Sequence, residues 1–451
     1  MASITAALER IKQDPHALAD RSLIETVCRE LGLEWRETVL SPPVALAWFI
    51  RQVIEGNVSC AAVRQMAGGA FTTSAYCQAR GRLPLEMVQE YSRRVCDAAG
   101  CLGGRREEYR WRGHRTWHID GSSFSMPDTP ELQEHFGQPG KQKPGCGFPV
   151  AHLLGLFDAR TGLIRRAIAS PLRTHDLSKA TQTHEHLQPG DLLIGDTAFG
   201  SYAHFALLVQ ADLHGLFPAH QIRITDFTPH RPHVRPGTKN PPKGLPRSRW
   251  IKSLGKRDQW VEWFKPSQKP QWISQEQYDA LPESIIVRET RRTIHRKGFR
   301  PITVTVASTL LDPQQYPADE LIDLRCQRWG VETNLRHLKT TMGMEVLRCQ
   351  SVAGVEKELA VFTLVYNLVR VVMMEAAARQ AVPLDRISFA DALYWVRHCR
   401  AGDEMPNLLV NPSRPGRVEP RAIKRRPKPY DQLNKPRDQL RKALKNKARR
   451  V

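Results

Sequence analysis

The sequence predicts an α/β protein in which a mixed sheet with a β-rich insertion follows an all-helical N-terminal domain and precedes a basic tail. Apolar residues at helical spacing dominate residues 1–110. Short apolar runs bounded by Gly, Pro and Asp occur in 111–220 and again in 221–317. A cationic helix and a long apolar helix follow in 318–380, and residues 381–451 hold one more helix and the tail.

Composition points to a polyanionic partner. The chain has 451 residues, enough for several domains with full cores, and its formal net charge is +21. Such a charge costs self-repulsion unless a polyanion balances it, so nucleic acid is the leading candidate. Nine cysteines without a C-x-x-C pair fit a reducing cytosol. Because Asn367 and Arg370 interrupt the apolar run 359–377, we expect a core helix and no membrane contact.

Helices in residues 1–110 suggest a DNA-binding domain. Apolar periodicity predicts a helix over 42–54, and Ser59 can cap a second helix that ends at Met66. Helix, short Gly-containing turn and helix is the shape of a helix-turn-helix, although ordinary bundles contain the same hairpin. A third predicted helix, 73–82, carries Arg80 and Arg82 as candidate phosphate contacts.

Two carboxylates are expected at the ends of predicted strands in residues 111–220. The first strand should end at Asp120-Gly121-Ser122, where the glycine lets the chain bend so that Asp120 projects beyond the sheet edge. A hairpin and a helix follow, and a strand buried on both faces then ends at Asp196. The four strands are predicted over 116–119, 148–157, 163–170 and 191–195.

Four tryptophans lie among lysines and arginines in the block 221–317, which we expect to be a β-rich insertion. A proline-rich basic loop over 230–249 precedes its strands. Aromatic rings beside cations can stack on unpaired bases, which makes Trp260 and Trp263 candidate DNA contacts. The alternative is that these rings form the core of a small sheet.

One predicted helix, 317–342, carries a single carboxylate among regularly spaced cations. The stripe consists of Arg325, Arg328, Glu332, Arg336 and Lys339. Because these residues are three or four positions apart, they share one helix face. A carboxylate flanked by cations suits a site that holds a metal ion together with a polyphosphate. A solvated face with i,i+4 salt bridges is the alternative.

Asp120, Asp196 and Glu332 together predict phosphoryl transfer. Three carboxylates can hold two Mg²⁺ or Mn²⁺ ions about 4 Å apart, which stabilises both the attacking and the leaving oxygen. Oxygen ligands are what Mg²⁺ requires, and the sequence has no competing His/Cys cluster. The alternative for either aspartate is a helix N-cap or a turn.

The pattern Arg328-x3-Glu332-x6-Lys339 resembles the Y-x2-R-x3-E-x6-K signature of the DDE transposases that bacterial insertion sequences of family 4 encode. The segments Asp120-Gly121-Ser122 and Gly195-Asp196 resemble the two aspartate blocks of that family. The resemblance extends from the N-terminal helices to about residue 376. One departure is that Arg325 stands where the signature has tyrosine, so this side chain can contact phosphate but cannot stack as a phenol does.

This resemblance implies an RNase H-like catalytic core, formed by 111–220 and 318–380 and interrupted by the insertion. It implies Mg²⁺-dependent cleavage and strand transfer, with double-stranded transposon ends and target DNA as partners and a homodimer as the acting form. The residues it assigns as metal ligands are Asp120, Asp196 and Glu332, and the phosphate contacts are Arg328 and Lys339, to which we add Arg325 and Arg336. A nuclease without strand transfer and a non-catalytic DNA-binding protein remain alternatives. We expect the protein in the bacterial cytoplasm, at the nucleoid.

The end of the chain is strongly basic. Residues 411–451 contain fifteen Lys and Arg against three acids. A segment so basic and interrupted by proline is predicted to be disordered until it meets a polyanion. A generic solubility tail is the alternative.

Overall fold

A computed structural model of the protein describes residues 21–102, 110–140, 142–174, 176–220, 223–240, 242–295, 301–399, 403–410 and 435–448. Its strands are β1 (Thr116–Ser125), β2 (Val150–Asp158), β3 (Ile164–Pro171), β4 (Leu192–Ile194), β5 (His214–Pro218), β6 (Arg249–Gly255), β7 (Asp258–Phe264), β8 (Ser284–Ile294) and β9 (Ile302–Ser308). All nine belong to one sheet with the order β3-β2-β1-β4-β5-β9-β8-β7-β6.

The first five strands form the predicted RNase H-like arrangement. Strands β1, β2 and β3 are an antiparallel meander, whereas β4 is parallel to β1 and β5 is parallel to β4. The β2–β3 turn is built as its sequence indicated: the Asp158 carboxylate accepts hydrogen bonds from the backbone N–H groups of Arg160 and Thr161 at 3.0 and 2.9 Å. Gly162 supplies the positive φ of 70° that closes the turn.

The insertion continues the same sheet, because β9 pairs antiparallel with β5 and β8, β7 and β6 follow outward. The predicted β-rich character of this block is therefore confirmed. Sequence reasoning missed β5 and β6. Strand β5 is only five residues long and holds both Gly215 and Pro218, and the edge strand β6 is largely exposed and does not alternate regularly between the two faces.

Helices cover both faces of the sheet and build the N-terminal domain. They are α1 (Arg21–Glu30), α2 (Pro42–Ile54), α3 (Cys60–Met66), α4 (Thr73–Arg82), α5 (Leu85–Leu102), α6 (Pro130–His135), α7 (Asp176–Ala180), α8 (Tyr202–Gln210), α9 (Gln275–Asp279), α10 (Ala318–Gln327), α11 (Trp329–Arg336), α12 (Val352–Arg379), α13 (Phe389–His398) and α14 (Arg437–Ala448). The predicted N-terminal helices are present, and the Ser59 hydroxyl caps α3 by accepting from Ala62 N at 3.2 Å. Strand β4 is buried on both faces, as predicted, because its three residues are fully buried.

The long helix α12 is the centre of the largest apolar core, where α2 and α5 pack against it. By length and composition it could cross a membrane, but 83% of its most apolar window is buried inside the protein, as in a core helix. Its polar interruptions bind the β2–β3 hairpin. The Asn367 side chain accepts from Ile164 N at 2.8 Å and donates to Ile164 O at 2.9 Å, and Arg370 Nε donates to Thr161 O at 2.9 Å.

Arg80 was a candidate phosphate contact, and its surroundings contradict that role. Its guanidinium donates to Gln52 Oε1 and to Cys349 Sγ, both at 2.8 Å, and lies 4.2 Å from the centre of the Phe49 ring. The residue therefore joins the N-terminal helices to the segment that precedes α12. Arg82 is exposed, and its phosphate contact stays a prediction.

Only the end of the basic tail lies within the described structure. There the chain forms α14, and Arg437 Nε lies 2.6 Å from Asp128 Oδ2 while its guanidinium covers the Phe148 ring at 4.2 Å. The prediction of disorder is wrong for this helix, because Asp128 and Phe148 supply an intramolecular partner. Residues 411–434 lie outside the described residues.

Candidate active site

The register of two parallel strands brings Asp120 and Asp196 together. Thr116, Trp117 and His118 pair in order with Leu192, Leu193 and Ile194. Continuing this register places Asp120 opposite Asp196, two residues beyond the last pair. Asp196 also caps the short helical turn Thr197–Phe199, since its Oδ1 accepts from Ala198 N at 2.8 Å. The N-cap bond uses Oδ1 and leaves the second carboxylate oxygen, so it is compatible with the predicted metal-ligand role of Asp196.

Asp120 lies within β1 and not at its end, which corrects the sequence-based expectation. The strand continues to Ser125 and stays paired with β2 along its length. Gly121 does not bend the chain: a Cβ atom there would lie 2.7 Å from the His152 ring, so the glycine leaves room for that imidazole. The Asp120 carboxylate accordingly belongs to a face of the sheet, where its Oδ1 accepts from Gly121 N at 2.9 Å.

The single helix expected over 317–342 is broken at Arg328. Helix α10 ends at Gln327, α11 begins at Trp329, and a π-type turn, His337–Thr341, follows. Around the break the hydrogen bonds run over three residues, from Arg328 N to Arg325 O at 3.2 Å and from Val331 N to Arg328 O at 2.8 Å. These shorter bonds tighten the backbone into a 3₁₀-like turn. The α-helical hydrogen-bonding pattern of the cationic stripe is consequently interrupted at Arg328, while the backbone there keeps helical φ and ψ angles of −52° and −23°.

Arg328 joins two of the predicted catalytic carboxylates. Its Nη1 donates to Asp120 Oδ2 at 2.7 Å and its Nη2 donates to Glu332 Oε1 at 3.2 Å. The Arg328 side chain is 10% exposed and that of Glu332 is 52% exposed, so the bridge runs from the buried floor of the site to its surface. The chain thus brings Glu332 to Asp120 from more than two hundred positions away.

Electrostatics also couples the three carboxylates. Burial raises the pKa of Asp120, the Arg328 guanidinium opposes that rise, and the neighbouring charges of Asp196 and Glu332 add to it. Burial likewise lowers the pKa of Arg325, and the charge of Arg328 lowers it further, while Asp196 and Glu332 act in the opposite direction. Arg325 therefore shares the electric field of this site, which is consistent with its predicted role.

Sequence reasoning missed His118, which precedes Asp120 by two positions on β1. Alternation along a strand places both side chains on the same face, and this spacing was the available signal. Burial lowers the pKa of His118 to about 3, with Arg328 contributing, so the imidazole is neutral. Its Nε2 is buried and has no hydrogen-bond partner among the described atoms.

The carboxylates suit a divalent metal ion, but not in the arrangement seen here. Among the described residues, no group of three His, Cys, Asp or Glu side chains is placed to hold a metal as it stands. Arg328 accounts for this, since its guanidinium lies between Asp120 and Glu332. An all-oxygen donor set nevertheless fits Mg²⁺ or Mn²⁺, and a dication would offset the charges of Asp196 and Glu332, which add to the effect of burial on the pKa of Asp120.

The remaining predicted DNA contacts differ in exposure. Arg336 is exposed on α11, and Lys339 is half-exposed in the π-type turn beyond it. Trp260 is half-buried, and its Nε1 donates to Leu311 O at 2.8 Å. The prediction that Trp263 contacts DNA is wrong, because its side chain is only 1% exposed. Its Nε1 donates to Glu289 Oε1 at 3.1 Å, and the Arg223 guanidinium lies 3.4 Å from the centre of its ring. It is a core residue of the sheet.

Residues 111–368, more than half of the chain, match the family described as the transposase DDE domain. This chain belongs to the DDE transposases. The transposase is similar to "Transposase InsG for insertion sequence element IS4" of Escherichia coli (strain K12), with 26% identity over 383 residues that cover 79% of this chain and 77% of the relative. It is also similar to "Putative transposase InsZ" of the same organism, with 27% identity over 149 residues, 32% of this chain and 49% of the relative.

Among solved structures, the transposase aligns with a piggyBac transposase in a synaptic complex with hairpin DNA. The TM-score is 0.42 and the identity 9%, over 85% of this chain and 79% of the other. The sequence-based expectation of a DDE-type transposase enzyme related to family 4 is confirmed by the family match and by the two curated relatives. The matched segment contains Asp120, Asp196 and Glu332, and no finding favours the two alternatives.

Proposed function

We propose that this transposase cleaves DNA at the ends of an insertion sequence and joins the freed strand to target DNA, using Asp120, Asp196 and Glu332 as ligands of two Mg²⁺ or Mn²⁺ ions. The observation that carries the proposal is the convergence of these carboxylates. Parallel pairing aligns the two aspartates, and Arg328 joins Asp120 to Glu332. Each acid comes from a different element of the chain.

The protein contributes preformed positions for these ligands. The Gly121 N–H holds Asp120 Oδ1 and the Ala198 N–H holds Asp196 Oδ1, which leaves the Oδ2 of each aspartate for a cation; on Asp120 that oxygen accepts from Arg328 when no metal is bound. Bound divalent ions would supply activation of the attacking oxygen and stabilisation of the leaving oxygen.

Arg328 has two successive partners in this proposal. Without metal, its guanidinium neutralises Asp120 and Glu332. A divalent cation held by these carboxylates would take over that role and leave the guanidinium for a DNA phosphate, which it matches geometrically. Arg325, Arg336 and Lys339 extend the same cationic surface along the DNA backbone. Trp260 remains our candidate for stacking on an unpaired base.

The other segments serve DNA binding. We propose that residues 1–110 form the helical DNA-binding domain, with 42–66 as its helix-turn-helix, and that 111–220 and 318–380 form the catalytic core around the insertion 221–317. The segment 381–451 adds α13 and the basic tail. The acting form would be a homodimer on double-stranded transposon ends and target DNA, in the bacterial cytoplasm at the nucleoid.

Glu332→Gln tests this function because it keeps the size of the side chain and removes its charge. Metal-dependent nicking of a labelled transposon-end duplex should fall by orders of magnitude, since metal ligation is lost. A gel shift on the same duplex should be unchanged or tighter, because the carboxylate no longer repels phosphate. Asp120→Asn and Asp196→Asn should behave alike. If Glu332→Gln nicks as fast as the parent protein, the three-carboxylate site is wrong.

A further inference from the structure

A second charged site lies next to the Asp196 turn. A cavity of about 980 Å³ is lined by residues drawn from 197–202, 234–247 and 264–267 and by His220, Arg223 and Ile224. Among the described residues that line it, six are Arg or Lys and none is Asp or Glu. These cations are Arg223, Arg235, Lys239, Lys243, Arg247 and Lys265. We call this cavity the basic groove.

The loop that forms one wall of the basic groove is fixed at its base. Arg231 is 5% exposed, and it donates to Asp226 O at 2.8 Å, to Ser248 O at 2.7 Å and to Ser248 Oγ at 2.9 Å. Val234 N also donates to Pro246 O at 2.9 Å, which draws the two ends of the loop together. These bonds close the base of the loop that carries the groove cations from Arg235 to Arg247.

Arg223 forms the inner wall of the basic groove. Its guanidinium stacks on the buried Trp263 ring with 3.4 Å to the ring centre, which is a cation–π contact. Burial lowers the pKa of Arg223 to about 10, with Glu289 opposing the shift, so the side chain stays charged at neutral pH. The buried Trp263 ring therefore supports a cation that lines the groove and does not itself stack on a base.

Four of the cations are exposed and unbalanced. Arg235, Lys239, Lys243 and Arg247 form no ion pair within the described residues. Glu262 pairs with Arg249 at 2.7 Å, outside the groove, and Glu283 balances the groove cation Lys265 at 3.3 Å, so neither acid pairs with these four. Gathering like charges costs self-repulsion unless a polyanion binds, and a row of cations along an open groove suits a phosphodiester backbone.

The position of the groove in the sheet indicates which DNA it would meet. Helices α5 and α12, which carry the N-terminal domain, pack against β3 at one end of the core. The basic groove lies on the other side, beyond β4 and β5. Asp120 and Asp196 stand between them. A duplex held by the N-terminal helices and cut at the carboxylates would continue into the groove.

We propose that the basic groove binds the phosphate backbone of the DNA that flanks the insertion sequence, beyond the scissile phosphate. The statement that this DNA is the flank rests on the function proposed above. The affinity of the groove for DNA is independent of that function, because the unpaired cations would attract any duplex.

The salt dependence of binding tests the groove directly. In the variant Arg235→Ala, Lys239→Ala, Lys243→Ala, Arg247→Ala, the slope of log affinity against log salt on a fluorescein-labelled duplex of random sequence should fall by about 3 to 4, since each lost phosphate contact removes about 0.9. A charge-conserving variant, Arg235→Lys, Lys239→Arg, Lys243→Arg, Arg247→Lys, should keep the parent slope. Lys256→Ala with Arg257→Ala, in the turn at the far end of β6 and β7, should keep it too. An unchanged slope in the alanine variant, with an unchanged melting temperature, overturns the proposal.

The flank is tested with two duplexes that carry the inverted repeat bordering the protein's own reading frame. One ends at the cleavage position and the other continues into flanking DNA. The alanine variant should lose affinity for the continued duplex and bind the shorter one like the parent protein. Equal losses on both overturn the assignment to the flank. If the parent protein fails to nick either duplex with Mg²⁺, the proposed function fails, while the salt slope still decides whether the groove binds DNA.

Discussion

The guanidinium of Arg328 lies 2.7 Å from the carboxylate of Asp120, although the two residues are 208 positions apart. This pair is largely buried, and its partner Glu332 reaches it from the surface. A guanidinium therefore holds the negative charges of the site together without metal. Substitutions of Arg328 test this arrangement.

Arg328→Ala should make the site depend on metal for its stability. Without Mg²⁺, breaking a buried pair should cost about 3–5 kcal/mol, because Asp120 stays buried without its counter-charge. Adding Mg²⁺ should then raise the melting temperature of the variant more than that of the parent protein. Thermal unfolding with and without MgCl₂ measures both effects. Arg328→Lys keeps a point charge, so its stability and its Mg²⁺ shift should lie between those of the parent protein and of Arg328→Ala. Equal Mg²⁺ shifts in all three proteins would contradict the bridge.

The two tryptophans of β7 should respond differently to truncation. Trp263→Ala removes a buried ring and its bond to Glu289, and should cost about 3–5 kcal/mol of unfolding free energy. Trp260→Ala removes a half-buried ring and should cost less. If Trp260 stacks on a base, its variant should also lower end cleavage while the fold is retained. Urea unfolding together with a nicking assay separates these outcomes. Equal losses of stability in the two variants would show that Trp260, like Trp263, is a core residue.

Asn367→Leu should destabilise the protein although it adds apolar volume to an apolar helix. The change leaves Ile164 N without a partner in a buried place and leaves Ile164 O only the weak thiol donor of Cys96, at 3.4 Å, so it should cost about 1–3 kcal/mol for the orphaned N–H. The matched control is Met374→Leu on the same helix, which conserves volume and should cost less than about 1.5 kcal/mol. A urea midpoint that is the same for both variants would show that the β2–β3 hairpin does not depend on its hydrogen bonds to Asn367.

The protein should lose stability as the pH falls below the ordinary histidine range. Burial lowers the pKa of His184 to about 3 and that of His204 to about 4. Their folded pKa values lie below the unfolded value, so the contribution is present above about pH 6.5 and is lost as pH falls toward 4. Each such group should contribute up to about 1.4 kcal/mol per pH unit.

The geometry of this histidine pair gives the test. His204 Nδ1 donates to Phe199 O at 2.8 Å, so its Nε2 must accept from His184 Nε2 at 3.1 Å, and both rings are neutral. Urea unfolding at pH 7 and pH 5 should show a smaller pH dependence in His184→Gln than in the parent protein. The exposed His135→Gln is the control and should leave the dependence unchanged. A steeper dependence in His184→Gln would contradict the neutral pair.

Local sequence patterns predicted the elements better than their junctions. Asp196 was placed correctly because β4 is short, apolar and stopped by its own cap. Asp120 was placed at a strand end because Gly121 breaks the apolar run, yet pairing with β2 carries β1 onward, and that partner is distant in sequence. Nothing in the local sequence predicts the break at Arg328. The Arg328 side chain contacts Asp120, and residue spacing along one helix cannot predict a contact with a distant strand.

The tryptophans show the same limit. Their surroundings of Lys and Arg in the sequence resembled a nucleic-acid surface. In the fold, one of these cations, Arg223, lies on Trp263 itself. Composition can reveal that rings and cations are close, but only the packing tells whether the ring or the cation faces outward.

The pairing of β5 with β9 limits which part of the insertion can be deleted from this chain. Leu216 and Phe217 are fully buried while their backbones bond to Ser308 and Ala307. Excising residues 221–317 as a cassette would remove that ladder and turn β5 into an open edge with apolar side chains. Such an edge accepts strands from other molecules, so the shortened protein would aggregate before it could be assayed. Shortening that spares the fold would have to begin at the outermost strand, β6.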